Sequence, residues 1–205
     1  IELGHDAARV LVEAGRVTGV ESNGEIYRAE AVVIAGGAWA SQVGATCDAP
    51  LPLTPVRRHL VILEPDAPLP AHQPTVWDAE LGAYFRPESG AVLASPGDAV
   101  PWHPEDPAAD PAAVELLAER LGQMAPRLAG SRLRRYWACL RTFAPDKASV
   151  VGADPRVRGL FWLAGLGGHG LTAGAAAGEL LSKCVLGQPD PLLEALAPRR
   201  LLQVE

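Results

Sequence analysis

The chain has no Cys-x-x-Cys pair, no apolar run long enough to cross a bilayer and only two lysines, and each shortage removes a class of function. Cys47, Cys139 and Cys184 are odd in number and far apart, with no histidine at ligand spacing, so neither a disulfide framework nor a zinc site is expected. A membrane span needs roughly eighteen or more consecutive apolar residues, and nothing here approaches that. The N-terminal IELGHDAARV has neither the basic start nor the apolar stretch of a signal peptide, which predicts a soluble, cytoplasmic protein. Blocks of one charge are missing too. The net charge of -6 is spread along the chain, which argues against a nucleic-acid footprint and against a polybasic membrane surface. With Lys147 and Lys183 the only lysines, nearly all positive charge is arginine.

What is present is a chain of 205 residues, enough for one domain with a real core or for a piece of a larger one. Strand-like pieces at 9–12, 17–22 and 24–29 turn at Ala14-Gly15 and Asn23-Gly24, the second a strong hairpin signal. AVVIAGGAW follows, and its continuous apolar run Ala31 to Ala35 suits a central strand buried on both faces. Long strands are expected over 53–64 and 131–143, and a hairpin over 82–87 and 91–96 across Glu88-Ser89-Gly90. Asp110 and Pro111 suit the cap and first position of a helix that places Val114, Leu117, Leu121 and Met124 on one face and ends by Pro126. Proline and acid dominate 99–111, as in a surface loop.

The stretch GLFWLAGLGGHGLTAGAAAGELL, Gly159 to Leu181, carries a literal G-x-G-x-x-G at Gly165, Gly167 and Gly170 between a strand-like and a helix-like run. As a dinucleotide fingerprint it requires a second strand after the helix, ending in an acidic residue that holds a ribose hydroxyl. Gly187 and the proline-broken QPDPLLEALAPRR come instead, so an NAD-binding Rossmann domain fits poorly.

Two arginines stand out by strand alternation. In LTPVRRHLVIL, Arg57 shares a face with the polar His59, whereas Arg58 shares one with Val56, Leu60 and Ile62. In RRYWACLRTF, Arg141 shares a face with Trp137, Cys139 and Phe143. A guanidinium on an apolar face needs an anion, from the protein or from a ligand, or else must snorkel to water. Two such residues on two strands favour a carboxylate-binding cavity.

AVVIAGGAWA, PVRRHLVIL, AYFRPESGAVLASPGD, YWACLRTFAPD and GLFWLAGLGGHGLTAGAAAGELL, in that order from Val17 to about Leu186, resemble the later half of FAD-dependent amine and amino-acid oxidoreductases of the D-amino-acid oxidase superfamily. Within it the D-arginine dehydrogenase type is nearest, with glycine oxidase and sarcosine oxidase as relatives. The resemblance implies an α+β fold: an α/β flavin-binding part over 1–50, a mostly antiparallel β-sheet substrate domain with flanking helices over 51–145, and a return to the flavin-binding part over 146–205. It also implies roles. Arg58 and Arg141 match positions that clamp a substrate carboxylate, and Tyr84 matches a tyrosine whose hydroxyl reaches the substrate, while it reads equally well as a half-buried strand aromatic. Ala35, Gly36, Gly37 and Trp39 match a turn where the flavin dinucleotide passes, against the alternative of an ordinary strand-to-helix turn. Gly167, Gly168, Gly170, Leu171 and Thr172 match a turn and helix N-terminus that meet the flavin ring, and His169 either faces the substrate or packs.

The implied reaction is FAD-dependent oxidation of an amino acid, a D-amino acid, glycine or an N-methyl amino acid, to an imine and then a 2-oxo acid by hydride transfer to flavin. The family's N-terminal fingerprint has no counterpart here, so the chain is expected to be a C-terminal portion that binds flavin weakly or not at all and is inactive alone. The alternatives are a non-catalytic truncated module or one subunit of a split flavoenzyme. The expected partners are an amino-acid substrate and either a second copy or a missing N-terminal segment, with no metal.

Overall fold

The computed structural model describes residues 1–5 and 9–202. In chain order its elements are β1 (Arg9–Glu13), β2 (Arg16–Ser22), β3 (Glu25–Arg28), β4 (Val32–Ile34), α1 (Ala40–Ala45), β5 (Thr54–Glu64), β6 (Val76–Trp77), β7 (Tyr84–Glu88), β8 (Ala91–Ser95) and β9 (Val100–Pro101). There follow α2 (Ala112–Met124), α3 (Pro126–Ala129), β10 (Arg132–Phe143), β11 (Val150–Ala153), β12 (Leu160–Ala164), α4 (Gly170–Val185) and α5 (Pro191–Leu196). Two compact units result, a discontinuous one from Ile1–Pro55 with Arg141–Glu205 and a second from Val56–Leu140. The crossings thus fall at Pro55/Val56 and Leu140/Arg141, where the sequence suggested 50/51 and 145/146.

Three two-residue loops join the hairpins β1–β2, β2–β3 and β7–β8. Ala14 and Gly15, Asn23 and Gly24, and Ser89 and Gly90 all have positive φ, the mirror-image turn whose twist matches that of the flanking strands.

In the discontinuous unit, β4 runs parallel to β12 and β11 antiparallel to it, in the order β11-β12-β4. Alternation along β12 covers both of its faces. Leu160, Trp162 and Ala164 join a core with Val10, Val17, Ile34 and Leu51, while Phe161 and Leu163 pack with Val151 and with Leu180 and Leu181 of α4. The strand buried on both faces is therefore β12. The expectation of a central strand over Ala31 to Ala35 is corrected: β4 has three residues and, among the described strands, pairs only with β12, which leaves Val33 44% exposed.

A buried carboxylate ties this unit together. Asp154 Oδ1 accepts from the Arg156 main-chain N–H (2.8 Å) and Nε (3.1 Å), and its Oδ2 accepts from Arg156 Nη2 (2.7 Å) and Trp162 Nε1 (2.9 Å). The same guanidinium donates to the carbonyls of Ala49 (2.9 Å) and Pro50 (3.0 Å), so one ion pair fastens the β11–β12 connection to the loop before β5. Burial pushes the Asp154 carboxyl up, but the Arg156 side chain, main-chain N–H groups and the indole outweigh it and hold the group below its ordinary value of 3.8.

The second unit is built on one sheet in the order β10-β5-β8-β7-β6, with β9 also pairing β5. Its core face carries Val61, Leu63, Phe85, Val92 and Ala94, covered by Leu117 and Leu121 of α2 and Leu128 of α3. Each of those leucines contributes roughly 2 kcal/mol by leaving water. Helix α2 begins at Ala112, one residue later than expected, and Asp110 Oδ1 accepts its N–H (3.0 Å).

Asp154→Asn is expected to cost about 3 kcal/mol at pH 7, because an amide group then faces N–H donors and leaves Arg156 unpaired. A carboxyl depressed on folding stabilises the protein above its unfolded pKa and loses that contribution as the pH falls through and below about 4. Urea unfolding at pH 7 and at about pH 2.5 measures both effects. The wild type should lose more stability on acidification than the variant, and equal losses would contradict the assignment.

Candidate functional site

The polar face of β5 is buried more deeply than its residues suggest. The face of β5 that bears Arg57 and His59 is the core face, with His59 1%, Val61 0% and Leu63 6% exposed. Arg58, Leu60 and Ile62 lie on the half-buried face. The polar pair is tolerated in the core because distant segments partner the Arg57 Nη groups and both nitrogens of the His59 ring, although Arg57 Nε is buried without a hydrogen bond. Arg57 Nη2 meets Asp110 Oδ2 at 3.0 Å, its Nη1 donates to the Ala108 carbonyl at 3.1 Å, and its guanidinium stacks 4.1 Å from the Trp102 ring. Arg57 is thus the arginine with an internal partner.

Arg58 is held differently. Its Nε donates to the main-chain carbonyl of Asp98 at 2.9 Å and its Nη2 weakly to that of Gly97 at 3.5 Å. Among the described residues no carboxylate forms a salt bridge with it. Pairing places Tyr84 opposite Ser95 and Arg86 opposite Leu93, which faces Ile62. Residues directly opposed in antiparallel strands share a face, so Arg58 and Tyr84 lie on the same half-buried face, on β5 and β7 to either side of β8. The Tyr84 hydroxyl makes no hydrogen bond among the described residues.

The remaining expected residues belong to the discontinuous unit. The register Leu160↔Val32 to Trp162↔Ile34 sets β4 and β12 side by side, and each strand ends in a glycine turn at its carboxyl end. After β4, Ala35, Gly36, Gly37 and Trp39 are all exposed, and Gly37 has a φ of 54°. After β12, the turn from Gly165 leads to His169, whose carbonyl caps α4 by accepting from Thr172 (3.1 Å) and Ala173 (2.8 Å) N–H groups. His169 is exposed and not packed, Leu171 is fully exposed, and Thr172 is exposed at the first turn of α4. The Gly167 N–H donates to the Thr142 carbonyl at 3.0 Å, which lays this turn along the end of β10. A Cβ at Gly167 would sit 2.9 Å from the Phe143 ring, and one at Gly168 would sit 3.2 Å from Arg141 Cδ and Nε. Arg141, Gly167, Gly168 and His169 are therefore brought together. No strand follows α4 among the described residues, so Gly165-x-Gly167-x-x-Gly170 does not open a βαβ unit.

Exposed main chain at the carboxyl ends of adjacent parallel strands is where open α/β sheets take nucleotide cofactors. The first turns of α4 add the free N–H groups and positive dipole end that suit an electron-rich ring or an anion. FAD fits this arrangement: at Gly37 a Cβ would project into open space, so main chain with no side chain borders the room a flat cofactor requires.

Fold and site define an α/β unit with two exposed glycine turns and an arginine-bearing antiparallel sheet. The chain belongs to the DAO family of FAD-dependent oxidoreductases, whose family model matches residues 1–184. It is 31% identical over 166 residues to glycine oxidase of Geobacillus kaustophilus (strain HTA426), covering 81% of this chain and 43% of that protein. It is also 31% identical over 196 residues to the mitochondrial pyruvate dehydrogenase phosphatase regulatory subunit of Mus musculus, covering 88% of this chain and 22% of the relative. The crystal structure of glycine oxidase from Geobacillus kaustophilus superposes with a TM-score of 0.81 at 26% identity, over 96% of this chain and 51% of that one. The chain thus spans about half, or less, of the length of these relatives. No helix of the described residues is long and apolar enough to cross a membrane.

Sequence reasoning did not single out Asp98, or His59 as its partner. The ASPGD segment gave one signal, a Pro-Gly-Asp turn between two strands, but its meaning depends on what the turn faces. Gly167→Ala places a side chain against Phe143 at a φ of 58°. It should lower stability by about 2 kcal/mol and the melting temperature by about 5 °C; an unchanged melting temperature would refute the close packing of this turn.

Proposed function

We propose that this chain forms the substrate-facing and flavin-ring-facing part of an FAD-dependent oxidoreductase that acts on a free amino acid, glycine, a D-amino acid or an N-methyl amino acid. The observation that carries the reading is Arg58, a cation on a half-buried apolar face, fixed by two carbonyl oxygens and without a carboxylate partner among the described residues. A substrate carboxylate would supply the missing charge, and a planar guanidinium can bind both of its oxygens at once. Tyr84, on the same face of the sheet as Arg58, serves as a hydroxyl donor to that carboxylate, and Arg141 is a second candidate carboxylate-binding arginine, in the discontinuous unit. When bound, FAD supplies the acceptor for the electron pair of the substrate's Cα–H bond, and water hydrolyses the resulting imine to a 2-oxo acid with release of ammonia, or of methylamine from an N-methyl substrate. The protein's part is positioning. Arg58 orients Cα through the substrate carboxylate, and the N–H groups at the start of α4, with Gly167 and Gly168, would hold the flavin and stabilise the negative charge it takes up on reduction.

In this reading the Gly165 motif does not hold the ADP half of FAD, because among the described residues no strand follows α4 to complete a dinucleotide site. The 205-residue chain by itself is then expected to bind FAD weakly and to be inactive. The mouse regulatory subunit among the relatives favours a second reading, a folded module that does not turn over substrate. Steady-state turnover by the flavin-loaded enzyme that contains this chain separates the two.

In the flavin-loaded enzyme that contains this chain, Arg58→Ala should raise KM for the best amino-acid substrate about 10- to 100-fold, the loss of one charge-assisted, two-pronged contact. Arg58→Lys should recover only part of that loss. An unchanged KM in Arg58→Ala would sink the clamp.

A further inference from the structure

Arg58 is only as well placed as the carbonyl groups that hold it, and these belong to an irregular segment. Four steps along β5, from Val61 to Arg57, correspond to six along the facing chain, from Ala94 to Val100. The facing chain therefore carries two extra residues, a bulge between β8 and β9. It is shaped by Gly97, whose φ is 74° and whose Cβ would lie 1.9 Å from the Gly82 carbonyl oxygen, so only glycine fits. Its carbonyls all turn toward arginines. Pro96 O accepts from Arg120 Nη1, Gly97 O from Arg58 Nη2 and Asp98 O from Arg58 Nε.

A buried histidine fixes this bulge. Asp98 Oδ1 accepts the His59 main-chain N–H at 2.9 Å, and its Oδ2 lies 2.7 Å from His59 Nδ1. On the other side of the ring, Nε2 accepts the Asp110 main-chain N–H at 2.9 Å. That contact makes Nε2 the acceptor, so Nδ1 carries the proton and donates to Asp98. Ser95 Oγ adds a second anchor, donating to the His59 carbonyl at 2.7 Å and accepting the Gly97 N–H at 3.1 Å. His59 is 1% exposed and the Asp98 side chain 10%, so both halves of the pair are shielded from competing water.

We propose that Asp98, pinned to His59, is a positioning residue for the carboxylate site: it holds the Pro96–Asp98 bulge so that the Gly97 and Asp98 carbonyls aim the Arg58 guanidinium at the substrate. The proposal rests on the reading of Arg58 as a carboxylate clamp. Without the Asp98–His59 bonds the bulge relaxes, Arg58 swings among rotamers, and binding of the carboxylate must pay for ordering it.

The test is a double-mutant cycle on the flavin-loaded enzyme, with acetate as probe, its dissociation constant read from the shift in flavin absorbance. Asp98→Asn should weaken acetate binding about 5- to 10-fold, and should raise KM for the amino-acid substrate similarly with kcat within about twofold. In an Arg58→Ala background, Asp98→Asn should change acetate binding by less than about twofold, because the residue it positions is gone. A purely structural role would give independent, multiplying losses instead, and that result overturns the proposal, as does unaltered acetate binding in Asp98→Asn. If Arg58→Ala alone leaves acetate binding unchanged, the clamp reading itself fails and the proposal falls with it. Ser95→Ala, which frees the same bulge without removing a charge, provides a second entry to the cycle should Asp98→Asn not fold. It should weaken acetate about 2- to 5-fold, again only when Arg58 is present, and independent losses here equally overturn the proposal.

Discussion

The parallel pairing of β4 with β12 is the constraint on which the glycine-turn edge of the discontinuous unit depends. Parallel strands end at the same edge of a sheet, so the turn after Ile34 and the turn after Ala164 are held at one level without any direct bond between them. Both turns are rich in glycine, and a ligand lying across them would meet main chain rather than side chains. Because Phe161 and Leu163 pack on α4 from the opposite face to Leu160 and Trp162, the strand that delivers the second turn is clamped on both sides. The Asp154–Arg156–Trp162 network then secures the same strand from its beginning, since the indole it binds belongs to β12.

The second unit solves a different problem, keeping a cation poised on a half-open face. An internal carboxylate would neutralise Arg58 and compete with any substrate. Carbonyl oxygens orient it while leaving its charge uncancelled, which is the better arrangement for binding an anion. Arg57, one residue away, shows the contrast. With Asp110 and Trp102 as partners it is a structural cation in the core, so the same side chain has two uses on the two faces of one strand.

Much of this was legible in the sequence wherever the information is local. Asn23-Gly24 and Ser89-Gly90 require positive φ, and both hairpins turn where those pairs stand. The family was legible as well, because five short motifs in a fixed order constrain far more than any one of them. The sidedness of β5 was not. Arg57 and His59 read as a polar face, yet that face lies in the core, because Asp98, Trp102 and Asp110 approach from a loop some forty or fifty residues further along the chain. The short apolar run at β4 misled for a related reason. Apolar residues show that a strand can be buried, but only its neighbours determine whether it is, and among the described residues β4 has one. Nor could alternation alone show that Asp98 supports Arg58, since that link passes through main-chain atoms that carry no sequence signal.

The central claim is that a substrate carboxylate, held by arginine, brings an amino acid to bound flavin. Anaerobic addition of an amino acid, and separately of the amine that lacks its carboxylate, to the flavin-loaded enzyme containing this chain tests it most directly, with the flavin band near ~450 nm as the readout. The account predicts that the amino acid bleaches the band at a concentration at least about tenfold lower than the amine does. Bleaching by neither compound across the glycine, D-amino acid and N-methyl classes, or equal bleaching by both, would contradict it.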